Sequence, residues 1–261
     1  VGQPWYRPTR INHIVSGGEY GWRWGTGKWP IYYADSLPTT LDLGLGSPTG
    51  LVSGHTLDWP KRFQQGMYAA DWQNGRILLV DLIPVGASYR GEYELFLEGA
   101  PLNICDMEVS SDGNLYFITG GRGSQSGLYR VMVDPSIEPT STGPEIHHTA
   151  VSIGKRERKT RKIYDSYQEK VTNTSEVGAW ALLGHDDRWL RFSAMKALER
   201  QPVHAWQDKV LVDDNPLRCG TGLIALCHSG VPEHQPQVFS TLQQFDLIKL
   251  PLEQQLIMLR A

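Results

Sequence analysis

Thr49, Asp71, Gln73, Asp106 and Arg122 are the residues of this 261-residue chain best suited to hold a ligand. A guanidinium on a glycine-rich loop, beside carboxylates, an amide and a hydroxyl, suits an anionic or polyhydroxy partner through paired hydrogen bonds. Asn103 and Gln125 stand close to them in the sequence. A second reading stays open for Asp71 and Asp106, because Asp commonly does no more than tie a turn together. Other chemistry is poorly supplied. His13, His55, His147 and His148 lack metal-ligand spacing, and no Gly-x-Ser-x-Gly, phosphate loop or dinucleotide fingerprint occurs. Cys227-His228 lacks the upstream Cys of a haem-attachment motif, and Cys105, Cys219 and Cys227 make no disulfide framework.

Those five residues can act together only if strands and turns bring them to one place. The text between Gly66 and Val133 says one thing twice. Gly66-Met67-Tyr68-Ala69-Ala70-Asp71 precedes a polar turn and Gly75-Arg76-Ile77-Leu78-Leu79-Val80. Gly113-Asn114-Leu115-Tyr116-Phe117-Ile118 precedes a glycine-rich turn and Gly127-Leu128-Tyr129-Arg130-Val131. A repeat of roughly 40–50 residues holding about four short strands is the mark of a β-propeller blade. The strands of one blade are expected at 49–53, 67–71, 76–83 and 89–97, with breakers at Pro60, Asn74-Gly75 and Gly86. Those of the next are expected at 106–110, 115–119 and 128–133, with Asp112-Gly113 as a tight turn. The fold class expected is multidomain β plus α: a partial β-propeller of about two four-stranded antiparallel blades, then a HEAT-like α-solenoid. In a propeller, strand polarity sets Thr49, Asp71, Gln73, Asp106 and Arg122 at one end of the ring. An incomplete ring leaves blade faces and edges open, so the chain made alone is expected to associate.

The division expected is a β-rich unit over 1–135, a linker over 136–160 and helices over 161–261. Residues 134–149 are rich in Pro, Ser and Thr, as linkers are. Lys155 to Lys162 carries six basic residues without interleaved aromatics, which reads as the solvated start of a helix. Beyond Ile163 the apolar period becomes helical. Gly184 fits a helix end, and Asp186 or Asp187 a helix start. Gly184, Asp187, Arg191, Ala194 and Ala197-Leu198 are spaced like a HEAT repeat, and Ala225-Leu226 echoes the last pair. The net charge of -3 gives no field that would recruit nucleic acid or a membrane surface. No apolar run approaches the ~20 residues of a membrane span.

Arg10-Ile11-Asn12-His13-Ile14-Val15-Ser16-Gly17-Gly18-Glu19-Tyr20-Gly21-Trp22 resembles a stretch of the soluble glucose/sorbosone dehydrogenases. Ser111-Asp112-Gly113-Asn114-Leu115-Tyr116 and Gly120-Gly121-Arg122-Gly123 look closer to a planctomycete-type membrane-bound dehydrogenase branch, in which HEAT-like repeats and a haem domain follow the propeller. The resemblance extends over most of residues 4–230. It implies six blades, the quinone cofactor PQQ, calcium, a sugar or polyol substrate, and a periplasmic or extracellular setting. It also implies that the chain is a fragment, with the general base and much of the calcium loop upstream of Val1. Carried over by position, Pro48-Thr49 matches the family's quinone-holding Pro-Thr. Gln73 stands where the family has Lys, and Asn103 and Cys105 stand before Asp106 where it has Arg. That removes three cations from a site for a tricarboxylate, leaving Arg122 and Arg76 to replace part of the charge.

Two functions follow from these observations. One is a dehydrogenase fragment that oxidises a sugar or related alcohol and passes electrons to a haem domain outside this chain. For it the resemblance implies that, if the chain is active, a His base would take the hydroxyl proton, while quinone and calcium would supply the hydride acceptor and the polarisation of its carbonyl. The other is a non-catalytic scaffold, binding a glycan on the β-rich part and a protein partner on the helices. The intact order of parts favours the first; the missing cations favour the second.

Overall fold

The computed structural model describes residues 9–21, 31–121, 123–134, 136, 152, 154–168 and 175–261. Nine strands are present among them. β1 (Thr9–Ile11) pairs antiparallel with β2 (Leu41–Gly44). β3 (Pro48–Ser53), β4 (Met67–Asp71), β5 (Arg76–Val85) and β6 (Ser88–Glu98) form a four-stranded meander. β7 (Ile104–Val109), β8 (Leu115–Gly121) and β9 (Ser124–Val131) form a three-stranded one. The turns are where glycine allows them. Gly75 (φ +61°) closes β4–β5, and Gly113 (φ +75°) closes β7–β8 with no room for a Cβ against Asp58.

The layers follow from which faces are apolar. β4 and β5 are buried on both sides, as their near-continuous apolar text requires. One face, with Tyr68, Ala70, Ile77 and Leu79, packs on Ile104, Met107, Leu115 and Phe117 of the three-stranded sheet. The other, with Ala69, Leu78 and Val80, packs on Ile11 and Leu43 of the β1–β2 pair. Three small sheets are therefore stacked with the four-stranded one in the middle.

The helices among the described residues are α1 (Lys61–Gln64), α2 (Lys155–Tyr167), α3 (Ser175–Leu182), α4 (Arg188–Glu199), α5 (Gln207–Leu211), α6 (Pro216–Ser229), α7 (Gln235–Leu242) and α8 (Leu252–Arg260). α4 and α6 are the buried pair. Phe192, Met195 and Leu198 of α4 and Leu223, Ile224 and Leu226 of α6 share a core with Trp206 and Leu183. Val15, Leu37 and Ala87, from the loop before β1's partner and the β5–β6 turn, sit in that same core.

The partial propeller and the HEAT-like solenoid are overturned by this arrangement. Sheets of two, four and three strands are combined with helices in a mixed α/β structure, and no closed ring or barrel is formed among the described residues. The repeated text does build antiparallel hairpins, but hairpin text is local and carries no instruction to close a ring. Tyr68 and Tyr116, which mark the two copies, have different surroundings. Tyr68 is fully buried, whereas Tyr116 is half-buried and donates to Asp112. The helices range from four to 14 residues, and their apolar faces are covered partly by chain from the N-terminal half. A regular stack of equal helix pairs would instead cover each pair with the next.

Candidate functional site

Asp71 ends β4 and is nearly buried. Its Oδ1 accepts from the amides of Ser47 (2.9 Å) and Asn74 (3.4 Å). Its Oδ2 accepts from Asn74 Nδ2 (2.6 Å) and Arg76 Nε (3.1 Å). Burial opposes the charge, but the bonds from Asn74, Ser47 and Arg76 outweigh it and hold the carboxyl below its ordinary range. Gly46 lies so close that a Cβ there would come within 2.4 Å of Asp71 Oδ2. Every acceptor site of this carboxylate is thus used to tie the β2–β3 loop to the β4–β5 turn.

Thr49 and Asp106 flank the seam between the two larger sheets. Thr49 Oγ1 donates to the carbonyl of Ile104 (2.7 Å), joining β3 to β7. Asp106 is exposed, and its Oδ1 accepts from the adjacent amide of Met107 (2.9 Å). A Cβ on Gly50 would lie 3.2 Å from that oxygen, so Thr49's strand and Asp106 are neighbours. Gln73 is exposed on the β4–β5 turn. The structure therefore gathers Thr49, Asp71 and Asp106 at one rim with Gln73 beside them, while Arg122 lies outside the described residues.

Trp72 holds this rim together and was not read from the sequence as a site residue. Its indole Nε1 donates to the carbonyl of Gly120 (2.8 Å), and its own carbonyl accepts from Asn103 Nδ2 (2.9 Å). An aromatic in an Asp-Trp-Gln-Asn-Gly turn was the available signal, since turns seldom need one for their own geometry.

A groove of about 400 Å³ opens on the far side of Thr49. Arg10, Asn12, Pro48 and Thr49 supply its polar edge and backbone, and Ile11, Ile14, Leu43, Leu51 and Ala69 its apolar wall. Arg10 Nη2 donates to the carbonyl of Tyr20 (2.9 Å), which fixes the guanidinium at the mouth. The side-chain oxygen of Asn12 is buried with no hydrogen-bond partner. Arg10 and Asn12 lie in the stretch that carries the family resemblance, yet nothing in their spacing marked them as ligand residues.

Among the described residues the rim does not fit a tricarboxylate quinone. Its guanidinium, Arg76, already neutralises Asp71; Asp106 adds a further negative charge; and the Thr49 hydroxyl proton is donated to a backbone carbonyl. Among the described residues no group of three His, Cys, Asp or Glu is placed to hold a metal ion. A Ser-His arrangement does occur elsewhere, where His13 Nδ1 lies 2.9 Å from Ser88 Oγ. Ser88 is only 2% exposed, so no substrate reaches its hydroxyl. The His13 ring is held by Tyr89 and Trp189, with centroids at 5.0 and 5.4 Å. Burial first, and then Arg161, Lys162 and Arg158, bring its pKa down to about 4.

No helix among the described residues is long and apolar enough to cross a membrane. No family model matches the chain, and neither a curated protein nor a solved structure matches it.

Proposed function

We propose that this chain is a non-catalytic binding module whose groove beside Thr49 takes a small polyhydroxy ligand, a sugar or polyol. One observation carries the reading. Among the described residues the groove is lined by a guanidinium, an amide and a threonine whose hydroxyl oxygen can still accept, on apolar walls, with no Asp, Glu, His, Cys, Lys or Tyr. Such a surface can hold hydroxyl groups by hydrogen bonds and their carbon skeleton by contact, but offers no group to take or give a proton near neutral pH. The neighbouring carboxylate, Asp71, supports the same reading, since its oxygens are committed to the turn.

The test pairs binding with turnover. Calorimetric titration with glucose and with sorbitol should show saturable binding, and Arg10→Ala and Asn12→Ala should each weaken it about fivefold or more, as loss of one buried polar contact does. Incubation of the same sugars with quinone, calcium and an artificial electron acceptor should give no turnover. Sugar-dependent reduction of the acceptor would overturn the non-catalytic reading. Absence of binding to any sugar or polyol would overturn the ligand class.

A further inference from the structure

A second pocket, of about 330 Å³, lies between the N-terminal half and helices α4 and α8. Its lining includes Tyr32, Arg188, Arg191, Leu252, Glu253 and Leu256. The two arginines are one helical turn apart on α4, at i and i+3, so both side chains reach the same side. Neither is loose. Arg188 donates through Nη1 to the carbonyl of Ile31 and through Nη2 to those of Tyr33 and Ser36. Arg191 donates through Nη1 to the carbonyls of His185 (2.6 Å) and Asp186 (3.0 Å), and through Nη2 to Glu253.

The charge balance of this pair is incomplete. Arg191 has a carboxylate; Arg188 touches only carbonyl oxygens, and its Nε is buried with no acceptor at all. Burial first and the neighbouring Arg191 second pull the Arg188 guanidinium down to about 10. A cation held off water beside a second cation is costly unless an anion joins it. Glu253, 63% exposed and paired with Arg191, and Asp35 pull the Arg188 guanidinium the other way, but neither makes an ion pair with it among the described residues. The helix start adds nothing for an anion to use at its first amides, because Asp187 Oδ1 already accepts from Trp189 and Leu190. The rest of the pocket is apolar and open: Tyr32 is 50% exposed and Leu252 69%.

We propose that this pocket binds a small organic anion, a carboxylate on a flat apolar body, with the carboxylate on Arg191 beside the Arg188 charge and the body against Tyr32, Leu252 and Leu256. A planar carboxylate matches the fork that Arg191 presents when Glu253 leaves it, and the apolar walls pack against the ligand body. Glu253 is then the resident competitor, occupying one Nη of Arg191 until a ligand displaces it. This site is separate from the groove beside Thr49 and does not depend on it.

2-Naphthoate and its neutral analogue 2-naphthamide are the probes, titrated by calorimetry into the intact chain. Naphthoate should bind and naphthamide should bind at least tenfold more weakly. Glu253→Gln, an exposed change away from the core, should tighten naphthoate about threefold or more and leave naphthamide unchanged. Leu252→Glu, also at an exposed position, should weaken naphthoate without lowering the melting temperature. Arg188→Lys is less informative alone, since it also loosens the 31–36 segment. Equal binding of acid and amide would overturn the proposal. So would an unchanged naphthoate affinity in Glu253→Gln, or no naphthoate binding at millimolar concentration.

Discussion

Asp35 and Arg260 stand 225 positions apart and meet in a two-point ion pair, Nε to Oδ1 at 3.0 Å and Nη2 to Oδ2 at 2.6 Å. The carboxylate of Asp35 is fully buried, and the guanidinium also lies over the Tyr33 ring at 4.9 Å. The pair fastens the loop before β2 to the last helix. Removing Arg260 takes the two-point partner from a fully buried carboxylate that His228 also faces, at 3.5 Å. Arg260→Met should therefore lower the free energy of unfolding by about 3 kcal/mol in chemical denaturation. Asp35→Asn added to Arg260→Met should recover part of that loss. A double variant no more stable than Arg260→Met would show that the pair is not coupled.

Two histidines should titrate on opposite sides of their ordinary value. His228 is faced by Asp35 (Nε2, 3.5 Å) and Glu199 (Nδ1, 2.8 Å), which raise its pKa, while burial and then Lys196 work against them. His13 is pushed down to about 4 by burial and the cations of α2. The signs follow from linkage. The His228 contribution is complete below the unfolded value of 6.5 and fades as pH rises through the higher folded value. His13 acts in the other window: between 6.5 and about 4 the unfolded chain takes a proton that the folded one refuses, so stability falls with falling pH. Melting temperature against pH should peak near the ordinary histidine value. His13→Gln should flatten the acid limb, and His228→Gln the limb above the peak. Proton NMR of the two imidazoles would contradict the account if both titrated together.

Asp187 serves two elements at once. Its Oδ1 caps α4 through Trp189 (2.8 Å) and Leu190 (3.4 Å), while its Oδ2 accepts from the amide of Ala87 in the β5–β6 turn (2.6 Å). The turn fits closely, since a Cβ on Gly86 (φ +50°) would come within 2.1 Å of Oδ2. Loss of a cap costs about 1 kcal/mol, and a stranded buried amide about 1–3 more. Asp187→Ala should thus cost about 3 kcal/mol in thermal or chemical unfolding. Asp187→Asn, which keeps an acceptor for the cap, should fall between. A loss in Asp187→Ala no larger than that of an ordinary exposed cap would leave the Ala87 contact without weight.

Local structure was legible in this sequence and long-range structure was not. β4 runs from Met67 to Asp71 as expected, because Gly66 and Asn74-Gly75 punctuate it. A helix start at Asp186 or Asp187 is legible, because capping is a matter of neighbours in the chain, and the structure gives it to Asp187. The stacking of three sheets in place of blades is not legible in the repeat, because apolar strand text says that a face is buried without saying what buries it. The committed state of Asp71 was one of two open readings, and only the bonds from Ser47, Asn74 and Arg76 decide it. The Arg188 ties to Ile31, Tyr33 and Ser36 bridge more than 150 positions and leave no period in either segment.

The basic run at the start of α2 shows the same limit and gives the sharpest stability test. Lys155, Arg156, Lys159 and Lys162 are exposed, as a solvated face should be. Arg161 is 4% exposed. Its Nε donates to the carbonyl of Ala87 (2.9 Å), and its Nη1 pairs with Asp165 one turn on. Ser193 Oγ, from α4, donates to Asp165 Oδ1 (2.6 Å). The guanidinium therefore joins the β5–β6 turn to α2, and Asp165 joins α2 to α4. Burial already raises the pKa of Asp165, with Ser193 and Arg161 holding it back. Arg161→Met leaves that carboxylate with Ser193 as its remaining side-chain partner. It should cost about 3–5 kcal/mol at neutral pH, against less than about 0.5 for Lys162→Met. The sign with pH is specific. Without Arg161, Asp165 prefers to be protonated in the folded state more than in the unfolded one. The folded chain then holds a proton that the unfolded chain releases as pH rises through that window, so stability falls with rising pH. The deficit of Arg161→Met should shrink when the same denaturation is repeated at about pH 4, where a neutral Asp165 tolerates burial. A deficit that is small at neutral pH, or that grows on acidification, would mean that Arg161 is only another surface cation.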